Sequence, residues 1–234
     1  PADNNANMGE NLTIRGDLLQ SSSLTQPVDI DTANLTVETD GNERSINASS
    51  STTEVLNVTA DNVTIDGIDK SLTTIKGNVT ITGDNNTLQN VTIVGNLILD
   101  GADTSTSNVD VTGTTVGSTS APSATAQTPP DGNVIVNEAN STVNNVSTDG
   151  DIVINASGVT VTDSSATNVT VTSNGDDANV SGVNASEFDV DPKAKNTETG
   201  GSVITAAPGD DLDAKVTNAG DSGVSTVRLQ AGTY

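Results

Sequence analysis

Asparagine side chains dominate the residues of this chain that could take part in chemistry, and many begin an Asn-x-Ser/Thr tripeptide without proline. This tripeptide is the acceptor for N-linked glycans on secreted proteins. Fourteen asparagines meet the rule, about twice the number expected from composition. They are Asn11, Asn34, Asn47, Asn57, Asn62, Asn78, Asn85, Asn90, Asn140, Asn145, Asn155, Asn168, Asn179 and Asn184. We expect some exposed sites to carry glycans, and part of the excess to be structural because Asn-Val-Thr also suits a corner followed by a strand.

Closely spaced carboxylates form the second group with possible chemistry. Asp29 and Asp31, like Asp189 and Asp191, are separated by one residue and could hold Ca²⁺ through their oxygens. Neither pair lies in an EF-hand loop, and the chain contains no Gly-Gly-x-Gly-x-Asp repeat. A solvated acidic surface explains both pairs more simply. We therefore treat these aspartates as secondary Ca²⁺ candidates and expect no cofactor beyond Ca²⁺ and N-linked glycans.

The residue types that most often carry catalysis are scarce. The chain has no His, no Cys and no Trp, with one Phe and one Tyr. A polysaccharide lyase would need a Lys or Arg base beside bound Ca²⁺, and no Lys or Arg lies in a carboxylate cluster on a repeat. A glycosidase would need two positioned carboxylates, and aromatic platforms for sugar rings are missing. We predict that the protein is not an enzyme.

The charge balance restricts the partners. The chain has 31 acidic and 8 basic residues, for a net charge of −23. Binding to nucleic acids or to anionic membrane surfaces requires clustered Lys and Arg side chains, so neither is an expected partner. No stretch approaches the roughly 20 apolar residues of a membrane span, so membrane insertion is not expected. Such acidity suits a high-salt environment, in which counterions screen the repulsion between subunits.

The elements that position these residues are indicated by internal repeats. The segment GNVTITGDNNTLQNVTIVG (77–95) aligns without a gap on GNVIVNEANSTVNNVSTDG (132–150). A shift of eighteen residues places Val79 on Leu97, and a shift of sixteen places Val63 on Val79. Aliphatic residues alternate with Thr inside each repeat, and Gly or Asn ends it. Alternation indicates strands, Gly and Asn indicate corners, and the short period indicates a solenoid.

We therefore predict an all-β fold, a single-stranded parallel β-helix with coils of about 16–18 residues. The crossover rule favours a right-handed path. Val63, Val79 and Leu97 would form one interior column, with a spacing of about 4.8 Å between coils. The alternative is an antiparallel β-sandwich, which also has short alternating strands but does not require matching from coil to coil. An ice-binding surface is not predicted, because Thr64 and Thr80 would be followed by Ile98.

Composition divides the chain into four parts. Residues 1–10 are predicted to be a flexible N-terminal segment, and 11–186 the β-helix. Within it, GSTSAPSATAQTPPD (117–131) would project as a loop, because its Pro pair excludes a helix or a central strand. Residues 187–201 are predicted to be a connector, and 202–234 a C-terminal cap or assembly segment. The absence of a signal peptide and the start PADNN favour a processed, extracellular or cell-surface form.

The segment DLDAKVTNAGDSGVSTVRLQAGTY (211–234) predicts a short helix, with Leu212, Val216 and Ala219 on one side, and then a strand over 225–230. It resembles the start of right-handed β-helix domains of the pectin-lyase-like superfamily, where an amphipathic helix and a Gly/Asp turn precede a strand ending in AGTY. The match covers about a tenth of the chain and lies at its end rather than its beginning. The resemblance implies a parallel β-helix, here of a non-catalytic surface-protein type.

The ends of a solenoid are unpaired strand edges, which can pair with another chain. We predict an extracellular structural protein, a subunit of a cell-surface filament or surface layer that assembles head to tail with itself through terminal strands. The candidate assembly strand consists of Val224, Ser225, Thr226, Val227, Arg228, Leu229 and Gln230. The alternative is an adhesin or stalk module of a larger surface protein, which binds a glycan or another cell.

Overall fold

A computed structural model describes residues 11–14, 18–19, 27–39, 45–47, 54–67, 73–112 and 132–232. The strands pair in parallel, each with its counterpart one coil away, as a solenoid of about eight turns. The predicted all-β parallel β-helix is therefore confirmed. Its right-handed path remains a prediction.

The strands stack in three columns, one for each side of a coil. Column 1 contains β3 (Val28–Ile30), β6 (Glu54–Val58), β9 (Asn78–Ile81), β12 (Leu97–Leu99), β14 (Val134–Val136), β16 (Ile152–Ile154), β18 (Asn168–Val171) and β21 (Glu187–Val190). Column 2 contains β1 (Asn11–Ile14), β4 (Thr36–Thr39), β7 (Thr64–Asp66), β10 (Thr87–Gln89), β17 (Thr160–Thr162) and β19 (Asn179–Ser181). Column 3 contains β2 (Leu18–Leu19), β5 (Ser45–Asn47), β8 (Thr73–Lys76), β11 (Val91–Val94), β20 (Asn184–Ala185), β22 (Val203–Ala206) and β23 (Thr226–Leu229). The long strands β13 (Ser105–Thr112) and β15 (Thr142–Thr148) span columns 2 and 3, and helix α1 (Leu212–Ser222) lies between β22 and β23.

Aliphatic side chains fill the tube between the columns. In column 1, Val79 pairs with Leu97, Leu97 with Val134, and Val134 with Ile152, and all four are fully buried. Burial of one such side chain stabilises the fold by roughly 1.5–3 kcal/mol. The predicted eighteen-residue match of Val79 with Leu97 is confirmed. The gapless 55-residue repeat spans two coils, because the second of them contains the additional segment 113–131.

The predicted sixteen-residue alignment is wrong. Val63 directly precedes β7 in column 2, and Ile65 lies within that strand. Val79, in contrast, belongs to β9 in column 1. The true partner of Val79 in the preceding coil is Leu56, 23 residues earlier. Every side of the coil has the same inward-outward alternation, so the aliphatic pattern alone does not show which side a strand occupies. Coils before residue 79 are thus longer than the predicted 16–18 residues.

Asparagine and aspartate form the corner between columns 1 and 2. At this corner, equivalent residues of successive coils adopt positive φ angles of 54–67°. These residues are Asn34, Asn62, Asn85, Asp103, Asn140, Gly158, Asp177 and Asn196. Asn and Asp tolerate this left-handed conformation better than other non-glycine residues. The backbone N–H of each of the first seven donates to the next coil, as when Asn62 donates to the Asp84 carbonyl at 3.0 Å.

A second polar row, the amide ladder, follows the corner between columns 3 and 1. Oδ1 of Asn78 accepts from the N–H of Asn96, and Oδ1 of Asn96 accepts from the N–H of Asn133, both at 3.0 Å. Oδ1 of Asn133 then accepts from the N–H of Asp151 at 2.7 Å. Asp151 is buried, and it accepts two hydrogen bonds from Asn168. Burial raises the pKa of Asp151, and the hydrogen bonds from Asn168 oppose this shift.

The predicted connector 187–201 is wrong, because the solenoid continues through it. Residues 187–190 form β21, which pairs with β18 and places Phe188 in the core. Glu198 then bridges to Asn179, and Gly182 donates to the Gly200 carbonyl at 3.2 Å. The polar composition of this coil hides its single buried aromatic residue from pattern analysis. The predicted segment 1–10 and loop 117–131 lie outside the described residues.

Candidate functional site

Helix α1 caps column 1 of the solenoid. It lies against β21, at the place where a further strand of this column would pair. Asn218 of the helix donates its amide to the carbonyl of Phe188 and accepts from the Phe188 N–H at 3.0 Å. The helix begins after Asp211, which accepts from the Ala214 N–H at 3.1 Å, and ends at Gly223 with φ of 74°. The side chain of Asn218 therefore replaces a neighbouring strand.

The predicted helix is confirmed, but the apolar residues predicted to share one side of it differ in burial. Ala219 is buried, whereas Val216 is 56 % exposed. Lys215 lies on the inner side and donates to the Ser186 carbonyl at 2.7 Å. The helix therefore contacts a strand edge, whose backbone requires polar partners, and an apolar pattern does not reveal such a face.

Strand β23 ends column 3, and the predicted strand over 225–230 is confirmed over Thr226–Leu229. It pairs with β22 in parallel, placing Val227 beside Ile204 and Leu229 beside Ala206. The predicted assembly strand is therefore shorter than expected. Val224 is buried before the strand begins, and Ser225 and Gln230 flank the strand.

The outer side of β23 is the candidate assembly edge. Paired residues of parallel strands point to the same side of a sheet. Ile204 and Ala206 are fully buried, so Val227 and Leu229 also point toward the interior. Leu229 is nevertheless 52 % exposed, because no later coil in the described part of the chain covers it. A side chain at a core position thus lies open at the end of the tube.

At the N-terminal side of the described ranges, three strands also have one described partner each. Among the described strands, β1 pairs with β4, β2 with β5, and β3 with β6. Strand β2 consists of two leucines and begins column 3, the column that β23 ends. The two ends of the described chain therefore present parallel edges in the same column.

Charge is distributed unevenly along the chain. Residues 77–192 contain 14 acidic and no basic residues, for a net charge of −14. Residues 193–234 contain 5 acidic and 4 basic residues, for a net charge of −1. Arg228 is one of these cations and is exposed on β23. Repulsion between two copies is therefore weaker at this end than along the middle coils.

The two pairs of Ca²⁺ candidates lie far from each other in the solenoid. Asp29 lies on β3 in the first coil of column 1, and Asp189 on β21 in its last. Asp29 accepts from Asn57 Nδ2 at 3.2 Å, and Asp191 accepts from the Lys193 N–H at 2.8 Å. Within the seven described ranges, no group of three or more His, Cys, Asp or Glu side chains is placed to hold a metal. Asp31 lies beside Asp29 at the following corner.

The sequons divide into two structural classes. Asn34, Asn62, Asn85 and Asn140 are exposed at one corner, and Asn145 is exposed at another. The remaining described side chains are only partly exposed, at Asn57, Asn78, Asn90, Asn155, Asn168, Asn179 and Asn184. The side chains of Asn11 and Asn47 lie outside the described residues. The predicted use of Asn as a corner residue is thus confirmed at several sequons.

The predicted pairing of Thr64 with Thr80 is also wrong. Thr64 pairs with Thr36 and Thr87, and Thr87 pairs with Ser105. The row continues through Thr142 and Thr160. In the neighbouring outward row, Asp66 pairs with Gln89, so the side-chain chemistry changes from one coil to the next. The hydroxyl groups therefore form one row rather than a broad uniform array, and we do not assign an ice-binding function to it.

Comparisons with protein-family models, with curated proteins and with solved structures gave no match. Within the described ranges, no helix is both long and apolar enough to cross a membrane.

Proposed function

We propose that this protein is a non-catalytic structural component of an extracellular assembly, in which copies stack head to tail through their terminal strands. The exposure of Leu229 at a core position of β23 carries this proposal. A strand edge together with an uncovered apolar side chain is suited to adding one more parallel strand. Helix α1 covers the neighbouring column, so the addition would occur at column 3.

A second copy of the chain is the partner that fits this edge. Head-to-tail stacking keeps all strands parallel, and it would place β2 of one copy, with Leu18 and Leu19, over β23 of the next. The contact would cover Leu229 and add backbone hydrogen bonds along the two residues of β2, each bond contributing about 0.5–1.5 kcal/mol. A contact of this size is weak, so assembly depends on conditions that reduce charge repulsion.

High salt is the condition that favours this assembly. The Debye length falls from about 10 Å at 0.1 M salt to about 3 Å at 1 M, which removes most repulsion between acidic surfaces. The acidic middle coils and the nearly neutral C-terminal end support a protein that works in salt and associates by its ends. We also propose membership of the pectin-lyase-like superfamily, supported by the order helix, positive-φ glycine and strand at 212–229.

The test compares two exposed apolar side chains. Leu229→Asp places a charge on the open end, whereas Val216→Asp places one on the outer side of α1, where exposure is similar at 56 %. We expect wild type and Val216→Asp to form filaments in electron micrographs at molar salt, and Leu229→Asp to remain as short rods. Filaments of Leu229→Asp, or wild-type rods at every salt concentration, would contradict the proposal. The second result would favour the stalk or adhesin function.

A further inference from the structure

Four sequon asparagines form a row along one corner of the solenoid. Asn34, Asn62 and Asn85 occupy three successive coils at the corner between columns 1 and 2, and Asn140 follows after one coil that carries Asp103. Neighbouring coils are about 4.8 Å apart, so the row runs parallel to the long axis of the solenoid. We call Asn34, Asn62, Asn85 and Asn140 the acceptor corner.

We propose that the folded protein carries N-linked glycans at the acceptor corner, and that the partly exposed sequons remain unmodified. This proposal rests on the extracellular location in the proposed function, because N-linked glycans are added to exported chains. It does not rest on head-to-tail stacking, so the two can be tested separately.

Exposure distinguishes the acceptor corner, whereas a positive φ angle is shared by the partly exposed Asn90, at 56°. All four asparagines are exposed and have φ angles of 57–60°. None of their side-chain amides makes a hydrogen bond to another described residue. Each asparagine is followed by one buried residue and then by an outward, partly exposed Thr. The amide nitrogen and the threonine hydroxyl, the two groups that define the acceptor, are therefore both on the surface. The four threonines are Thr36, Thr64, Thr87 and Thr142.

In contrast, four of the partly exposed sequons use the same nitrogen to join coils. Nδ2 of Asn57 donates to Asp29 at 3.2 Å, Nδ2 of Asn90 to Asp66 at 2.7 Å, and Nδ2 of Asn155 to Asn137 at 2.7 Å. Nδ2 of Asn168 donates to Asp151 in the amide ladder at 2.8 Å. A glycan on such a nitrogen would break a contact between coils and would have to enter the space between them.

The other described sequons are constrained in related ways. Asn78 accepts two hydrogen bonds from Asn96, and Asn184 accepts one from Thr205 at 2.5 Å. The side-chain oxygen of Asn179 is fully buried. Asn145 is exposed, but it already makes a further interaction and lies at a different corner, so we do not include it.

The modification needs a lipid-linked oligosaccharide donor and an oligosaccharyltransferase. Nδ2 of the asparagine attacks the anomeric carbon of the first sugar and forms a C–N bond. The bond from that carbon to the phosphate oxygen of the lipid carrier breaks, and the polyprenyl phosphate or diphosphate leaves with the electron pair. A base of the transferase takes the proton that Nδ2 loses. No oxidant or reductant is required.

Glycans along the acceptor corner would leave both ends of the solenoid open. The corner lies at the side of the coils, whereas β23 lies at the end of the tube. The modification is thus compatible with stacking, and it would place hydrophilic chains on one edge of the assembled structure.

The test uses the full chain secreted from cells that perform N-glycosylation. The folded fraction is isolated and treated with peptide-N-glycosidase in ¹⁸O-labelled water, which converts each modified asparagine to labelled aspartate. Mass spectrometry then gives the occupancy of every sequon. We expect label at the acceptor corner and no label at Asn57, Asn90, Asn155 or Asn168.

Variants that change only the acceptor threonine provide the controls. Thr64→Val removes the sequon of Asn62 but keeps the corner asparagine and a β-branched strand residue, so we expect the loss of one glycan mass. Thr64→Ser retains the sequon and should retain the glycan. Thr170→Val removes the sequon of Asn168, and we expect no mass change. Label spread equally over both classes, or absent from the acceptor corner, would overturn the proposal, whatever the state of assembly.

Discussion

Strand edges find their hydrogen-bond partners in different ways in the middle coils and in the C-terminal coil. In the middle coils, each strand has a similar strand above and below, and buried residues such as Leu97 pair with their counterparts. In the C-terminal coil, a helix side chain, Asn218, satisfies the backbone of Phe188 in column 1, and no described strand pairs with the outer side of β23 in column 3. Strands therefore pair with similar strands inside the stack, whereas α1 follows the last described strand of column 1 and β23 is the last described strand of column 3.

The middle coils and the C-terminal region also differ in net charge. The middle coils carry acidic residues without any cation, while the C-terminal region is nearly neutral. Acidic side chains along the sides of a rod keep rods apart laterally, and a nearly neutral end permits contact along the axis. The difference supports the proposal that copies associate along the axis rather than side by side.

Truncation of a core residue should separate the two regions most clearly. Ile152→Ala removes a fully buried side chain from the middle of column 1, and we expect it to lower the free energy of unfolding by about 2–5 kcal/mol. Leu229→Ala removes a half-exposed side chain from the end, and we expect less than about 1 kcal/mol. Chemical denaturation of the monomer at low salt measures both. Equal losses would mean that the end is as well packed as the middle.

The fold of the middle coils is more predictable from the sequence than that of the C-terminal coil. The eighteen-residue match of Val79 with Leu97 is predictable because the single coil that separates these two residues contains no insertion. The longer coil before Val79 led to a wrong partner, since aliphatic alternation is the same on every side. Phe188 was missed as a core residue because its coil is otherwise polar.

The candidate site was only partly predictable for a related reason. The helix and the strand over Thr226–Leu229 follow from local pattern and from Gly223. The role of Asn218 depends on a strand edge 30 residues earlier in the chain, and no local pattern records that contact. The class of each sequon likewise depends on partners in another coil.

Removal of the Asn218 side chain should have an intermediate effect on the free energy of unfolding. Asn218→Ala leaves the N–H and the carbonyl of Phe188 without their partner, and we expect a loss of about 1–3 kcal/mol in the free energy of unfolding. Thr217→Ala, on the exposed side of the same helix, is the matched control and should change stability little. Hydrogen exchange should increase at Phe188 in the first variant alone. A similar loss in both variants would assign the effect to the stability of helix α1 itself rather than to the contact between Asn218 and Phe188.

The smallest expected effect concerns Asp151, the one acidic member of the amide ladder in the middle coils. Burial raises its pKa above the ordinary 3.8, so the folded state binds its proton more tightly than the unfolded state does. Its contribution to stability is therefore fully present below pH 3.8 and is lost as the pH rises through the raised pKa.

Asp151→Asn restores an amide at this position, and we expect it to stabilise the fold by about 1 kcal/mol near neutral pH. The gain should shrink as the pH falls below the raised pKa, because a protonated carboxyl group resembles an amide in shape and in its capacity to donate. Denaturation curves across this range measure the difference, with Asp189→Asn on the exposed face of β21 as the control. A gain that is equal at every pH would show that the ladder does not depend on the charge of Asp151. The interior of the middle coils would then tolerate a carboxylate as readily as their acidic surface does.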